Sequence, residues 1–379
     1  MPYKQKKQLV SAEQSYQVYS EWASGGGRAT EQARKYHEIR FVKILFVILC
    51  LAAIVLVTGI AVTIGEYPIG ILESYTIIWD HLIGNVGEDY DSMMRDHIVC
   101  NLRMPRIAYA IVAGVGLGIA GAVMQSTLKN PMADPYTTGV SSGASFGATL
   151  AISLMGGAVI GDPKVIISAF VMSLVPTSVI IALSVIRKSS PVSMILAGIA
   201  ITYIFGAMTT LIELWTDPDS LNAINWWQAG SLDGLKWSDF PTMLIVVSVG
   251  SVLILMVSNK LNLLSAGDDS AKAMGLDASR FRIICLMIVS LMSATIVSFT
   301  GIIGFVGLVA PHISRLFIGA DNKFLIPASA LFGAVLLMVS DLIGRTIMSP
   351  TIIQVGVITA FLGGPLFLYL IIRSRREAW

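Results

Sequence analysis

The chain has 379 residues, 55% of them hydrophobic and only 13% charged, with a formal net charge of +2 and a mean hydropathy of +0.74. A soluble domain carries roughly a quarter charged residues, so too little polar surface is left to keep this chain in water. The composition excludes a soluble enzyme and points to an all-α, polytopic integral membrane protein.

Residues 1–43 are polar and read as a cytoplasmic N-terminal extension, partly helical or disordered. Its "SGGGR" is no phosphate loop, because no Lys-Ser/Thr follows and no G-x-x-x-x-G-K-[ST] occurs anywhere. The extension is too long for the positive region of a signal peptide, so no cleavage is expected. A first uncharged run covers 44–65. About 40 residues expected outside the membrane follow, and they contain the amphipathic "ILESYTIIWDHLI", expected to lie on the membrane surface.

Arg103 and Arg106 stand at the mouth of the next apolar run, 107–128. Further runs cover 135–161, 165–186, 189–212 and 240–259, each near the 20 residues that cross a bilayer. The stretch 215–239 between the last two carries Trp215, Trp226, Trp227 and Trp237, the pattern of an interfacial aromatic belt. Residues 259–282, "NKLNLLSAGDDSAKAMGLDASRFR", are too polar to span and are spaced like two short helices joined by a turn. The run 283–314 is too long for one span. Its glycines and Pro311 predict a span, a reversal near Gly301 to Gly307, and a shorter span from about Leu308. Runs from 324 and over 346–372 complete ten expected helices in a permease domain covering 44–373, before a cytoplasmic tail at 374–379.

An even number of spans puts both termini on one side. With the termini inside, 20 of the 26 Lys and Arg are cytoplasmic, as the positive-inside rule favours. Arg103, Arg106 and Arg345 are then among the six basic residues on the disfavoured side. Cys50, Cys100 and Cys285 show no pairing pattern. "GLGIAGAVMQSTLKNP" and "GIIGFVGLVAPHISR" hint at an internal duplication, and "GVSSGAS" reads as a small-residue packing surface.

Three stretches carry a resemblance to a known family. "RMPRIAYAIVAGVGLGIAGAVMQSTLKNPMADPYTTGVSSGASFGA" resembles the second and third spans of the FecCD-type permeases, the membrane subunits of ABC importers for iron complexes, haem and vitamin B12. "GFVGLVAPHISRLFIGADNKFLIPASALFGA" and "SDLIGRTIMSPTIIQVGVITAFLGGPLFLYLI" resemble that family's seventh-to-ninth spans and its C-terminal end. The likeness covers about 44–373; the N-terminal extension departs from the usual pattern.

The resemblance implies a fold like that of the vitamin B12 importer permease. It also implies a homodimer or close paralogue heterodimer, two copies of a separate ATP-binding subunit and an extracytoplasmic substrate-binding protein. ATP and Mg would be bound by the ATPase, leaving this chain without cofactor, metal or catalytic residues, and no nucleic-acid partner is expected. By motif, Arg103, Arg106 and Arg345 are expected to dock the binding protein. A guanidinium holds a carboxylate bidentately and keeps its charge. Snorkelling to lipid headgroups and, for Arg345, an i,i+4 pair with Asp341 are the plainer readings. Gly267, Asp268, Ala271, Met274 and Gly275 are expected to couple to the ATPase. Asn130, Met132, Ser190 and Pro191 are expected to gate the cytoplasmic mouth. His312 is read as structural, hydrogen-bonding helix ends.

The expected function is import of an iron complex, siderophore or haem, across the cytoplasmic membrane, with cobalamin as the alternative cargo. An ion-coupled secondary transporter is the reading of a different class. It needs ionisable residues near the bilayer midplane, whereas Glu213, Asp341 and Arg345 lie near span ends.

Overall fold

The computed structural model describes residues 28–65, 67–155, 161–187 and 190–374. Residues 1–27 of the extension and 375–379 of the tail lie outside the described residues. The fifteen α-helices among the described residues are α1 (Arg28–Thr63), α2 (Ile71–Ile83), α3 (Tyr90–Asp96), α4 (Met104–Leu128), α5 (Val140–Met155), α6 (Pro163–Arg187), α7 (Pro191–Glu213) and α8 (Pro218–Gln228). They continue with α9 (Phe240–Met256), α10 (Ser258–Ser265), α11 (Asp268–Ala273), α12 (Ala278–Thr300), α13 (Val306–Ile318), α14 (Asn322–Thr346) and α15 (Val355–Ser374). A π-helical stretch, His97–Arg103, joins α3 to α4, and a short 3-10 turn, Pro135–Thr138, precedes α5.

Each of the nine apolar runs corresponds to a helix, and 283–314 to two, as expected. Six helical stretches are long and apolar enough to cross a membrane, and α9 with α10 makes a seventh if that pair, bent by 61°, is one span. The shorter apolar helices are α5, α13 and α15. The thirteen residues of α13 rise only about 20 Å, against a hydrocarbon core of about 30 Å. The break before α13 falls at Gly301 to Phe305, close to the expected reversal. Helix α1 begins at Arg28, well before its apolar run.

Local sequence explains several helix starts. Asp134, Ser190 and Asp217 each precede a proline and accept a hydrogen bond from a backbone N–H two or three residues on. The acceptor satisfies an otherwise orphaned donor, while proline needs none at the first helical position.

Helix α4 is the axis of the bundle: 83% of its apolar window is buried, against 22% for α1. Glycine lets α14 and α13 approach its backbone. A Cβ at Gly118 would collide with the Ser329 carbonyl, and one at Gly121 with the Gly307 carbonyl. In lipid no hydrophobic force holds helices together, so such close backbone packing replaces it. The "GVSSGAS" surface does the same for α5 through Gly143, which meets the Met172 carbonyl of α6, and Gly147 one turn on meets the Ser168 carbonyl.

Three expectations need correction. Trp227 is 2% exposed and packs with Ile224, Ala144 and Val297 in an apolar core, so only Trp215, Trp226 and Trp237 are exposed in the manner of a belt. His312 does not cap a helix through Nδ1, which is buried without a hydrogen-bond partner among the described residues; its ring stands edge-on to Phe367 at 6.1 Å. The two stretches that hinted at a duplication also sit differently in their helices. "GLGIAGAVMQSTLKNP" closes a helix, whereas "GIIGFVGLVAPHISR" opens one, with Pro311 inside α13.

Candidate functional site

The arginines expected at the outer surface are buried and already engaged. Arg103 donates from Nη1 to the Val62 and Thr63 carbonyls at 2.6 and 2.9 Å, and from Nη2 to the Tyr67 carbonyl at 2.7 Å. These acceptors lie at and just beyond the C-terminus of α1, where the helix dipole is negative and carbonyls lack helical partners. Gly65 makes the room, since a Cβ there would strike the guanidinium. Arg345 reaches the same helix end from α14, donating to the Ala61 carbonyl at 3.2 Å.

Arg106 donates from Nε to Asp341 at 2.7 Å and from Nη1 to Asp233 at 3.2 Å. The Asp341–Arg345 pair that the i,i+4 spacing allows is present at 3.1 Å. It is an ion pair without hydrogen-bond alignment, because Nε and Nη2 of Arg345 are buried with no aligned acceptor among the described residues. Asp341 is 3% exposed between the two guanidiniums, while Asp233 is 52% exposed and forms the network's open side. None of the three arginines snorkels. They tie α1, α4, α14 and the segment after α8 into one knot.

A second knot lies at the opposite end of α4. Lys129, the left-handed C-cap of α4, donates to Asp268 at 2.7 Å. Arg282, 2% exposed, donates to both oxygens of Asp268 at 2.8 and 3.1 Å and to the Thr127 carbonyl at 3.1 Å. Burial by itself raises the Asp268 carboxyl, but the two cations outweigh it and hold it below the usual carboxylate range.

Helices α10 and α11 are the two short helices expected in 259–282. The five coupling candidates divide by orientation. Ala271 is fully buried and seats α11 on its own chain, Asp268 is spent on the knot, and Met274 is 69% exposed. Gly267 and Gly275 supply positive φ at either side of α11. A polar stack holds α10 as well: Asn262 donates to Asp321 at 2.7 Å and accepts from the Asn322 amide at 2.8 Å, and Ser126 donates to Asn322 at 2.8 Å.

Of the gate candidates, Asn130 accepts from the Met132 amide at 2.9 Å through its side chain, and Met132 is exposed. Ser190 caps α7 and Pro191 is its first residue. The Ser190–Pro191 pair thus has a helix-boundary role, and Asn130 with Met132 a turn-forming one.

Sequence reading missed Asp233, Lys129, Arg282 and Gln125. Gln125 donates to the Leu308 carbonyl and accepts from Arg315, bridging α4 to α13 inside the bundle. A polar residue in an apolar run was the only signal for it. Near α15 an apolar cavity of about 590 Å³ is lined by Gln228, Ile302, Gly304, Phe305, Phe361 and Pro365 among others.

Comparison with known proteins matches residues 51–373 to the FecCD transport family. A chain of Methanocaldococcus jannaschii described as an ABC transporter permease protein is 39% identical over 91% of this chain and 99% of its own. The cobalamin import system permease protein of Halobacterium salinarum is 39% identical over 72% of this chain and 73% of its own. The hemin transport system permease protein of Yersinia pestis is 32% identical over 74% and 85%. A solved structure described as an inward-facing ABC transporter of metal-chelate type superposes with a TM-score of 0.75 at 27% identity, covering 86% of this chain and 98% of that one.

Proposed function

This chain belongs to the FecCD transport family, as a multi-pass permease of an ABC importer, and from that premise we propose that it moves an iron complex, siderophore or haem, into the cytoplasm. A corrinoid is the second reading, favoured by the higher identity to the cobalamin permease than to the hemin permease. The importer is a dimer of this chain or of two close paralogues in the cytoplasmic membrane, with both termini inside. A separate pair of ATPase chains supplies the energy and an external binding protein delivers the cargo.

One observation carries the mechanism: a single buried helix, α4, begins in the arginine knot and ends in the Asp268 knot. The arginine end faces the binding protein and the Asp268 end faces the ATPase. A load at one end reaches the other through a rigid rod, and closure of the ATPase pair is transmitted as movement of packed helices. Met274, standing free on a turn that Asp268 and Ala271 fasten to the bundle, is the contact offered to the ATPase. Asn130 and Met132, with Ser190 and Pro191 across the inner mouth, form the cytoplasmic gate.

Docking then works by exchange. Arg106 shares its Nη1 with the half-exposed Asp233, and a carboxylate of the binding protein takes Asp233's place. The test is ATP hydrolysis by the complete importer in liposomes, titrated with loaded binding protein. Asp233→Asn removes the internal competitor and is expected to lower the half-maximal binding-protein concentration severalfold, with basal hydrolysis unchanged. Arg106→Gln is expected to abolish stimulation. If neither variant alters stimulation, docking lies elsewhere on this face. Uptake of labelled ferric hydroxamate, haem and cobalamin by the same liposomes decides the cargo.

A further inference from the structure

The segment between α1 and α4 contains a cluster of side chains that transport does not use. Residues 67–103 carry six carboxylates, those of Glu73, Asp80, Glu88, Asp89, Asp91 and Asp96, against Arg95 and Arg103. Both cations are committed. Arg95 pairs with Glu73 and Asp91, and Arg103 caps α1. The remaining field attracts positive charge.

Within it, His81 Nδ1, an Asp96 carboxylate oxygen and Cys100 Sγ all lie within 4.8 Å of one another. We propose that His81, Asp96 and Cys100 bind a borderline-soft divalent cation of the zinc class at the arginine end of the molecule. Thiolate and imidazole favour zinc or cobalt over magnesium and calcium, which take oxygen ligands. Bonds of about 2.3 Å to sulfur and about 2.0 Å to nitrogen set tetrahedral ligand atoms roughly 3.5 Å apart, so closure requires side-chain shifts of about 1 Å. The backbone already fixes the three positions. Trp237 donates to the Cys100 carbonyl at 2.7 Å, and the left-handed Gly84 ends the helix turn that carries His81. Asp96 immediately precedes the π-helical stretch and Cys100 lies within it, a distortion found often at functional sites.

The His81 side chain is 44% exposed, and Asp96 lines a polar cavity of about 300 Å³ together with Asp80 and Ser92 among others, so water has access to a fourth position. On binding, Cys100 loses its thiol proton to solvent, and the proton between His81 Nδ1 and Asp96, 2.8 Å apart here, passes to solvent or, by tautomer exchange, to His81 Nε2, freeing both atoms for the metal. The ion would clamp α2 to the start of α4, three residues before Arg103.

The test uses the full-length permease, purified through a tag without histidine, stripped with chelator and titrated with Co²⁺. One equivalent is expected to give thiolate-to-cobalt charge-transfer absorption in the near ultraviolet, reversed by Zn²⁺. Cys100→Ser is expected to lose that absorption. His81→Gln, at an exposed position that leaves folding intact, is expected to weaken binding at least about tenfold, the loss that even an outer-shell partner brings. No thiolate absorption in the wild type overturns the proposal, leaving a plain ion pair beside a buried thiol. Absorption that survives Cys100→Ser overturns it too, since Cys50 or Cys285 would then be the ligand.

Discussion

Asp341 carries two guanidiniums on one nearly inaccessible carboxylate, with Arg106 on one oxygen and Arg345 on the other. Burying such charges is costly, and only their mutual neutralisation offsets it. Replacing Asp341 with Asn leaves Arg345 inside without a paired carboxylate and Arg106 with only the half-exposed Asp233, an expected loss of about 3 kcal/mol. Thermal unfolding in detergent measures it, and a midpoint equal to the wild type would mean that water already reaches the knot. Arg103 is a different case, because its partners are carbonyls rather than carboxylates. Arg103→Gln is expected to fray the end of α1, read as faster hydrogen exchange at Thr63 and Ile64, while leaving the Arg106–Asp341 pair intact.

At the scale of helices, the contact between α4 and α14 depends on the absence of side chains. Gly118→Leu must push a branched chain against the Ser329 backbone, and neither helix can yield without dislodging α13 at Gly121. A cost of about 3 kcal/mol is expected from overpacking alone, seen as lost folded yield on gel filtration, whereas Gly206→Leu, where nothing stands nearby, should be silent. The seat of α11 is electrostatic instead. Because the Asp268 carboxyl titrates below its ordinary range, its hold is present at neutral pH and is lost as pH falls through the depressed value. The protection of 271–275 from hydrogen exchange, taken relative to the intrinsic rate at each pH, should therefore be constant between about pH 7 and 5 and fall below about pH 4. Asp268→Asn should be loose at every pH. A wild type whose exchange ignores acid would show that apolar seating by Ala271 suffices.

Across the whole molecule, what the sequence disclosed follows physical range. Hydrophobic runs act over 20 neighbouring residues, so every apolar helix, the broken pair at Gly301 and the amphipathic α2 could be read directly. The Asp341–Arg345 pair was visible because it lies within one helical turn. Arg106 with Asp341 was not, nor Lys129 with Asp268, because 235 and 139 residues separate the partners and only folding brings them together. Trp227 misled for the same reason, since its segment reads as interface while its ring serves the core. The arginine motif gave no sign that its charges are spent inward.

Helix α4 is fastened at both ends, and that freezes its phase. One residue inserted between Arg106 and Lys129 would advance everything beyond it by about 1.5 Å and turn it by about 100°. Lys129 would swing away from Asp268, and the glycines facing α14 would be replaced by side chains. A rod keyed at both ends accepts substitution along its length far more readily than insertion or deletion. Over evolutionary time this helix should therefore vary in spelling and hold constant in count.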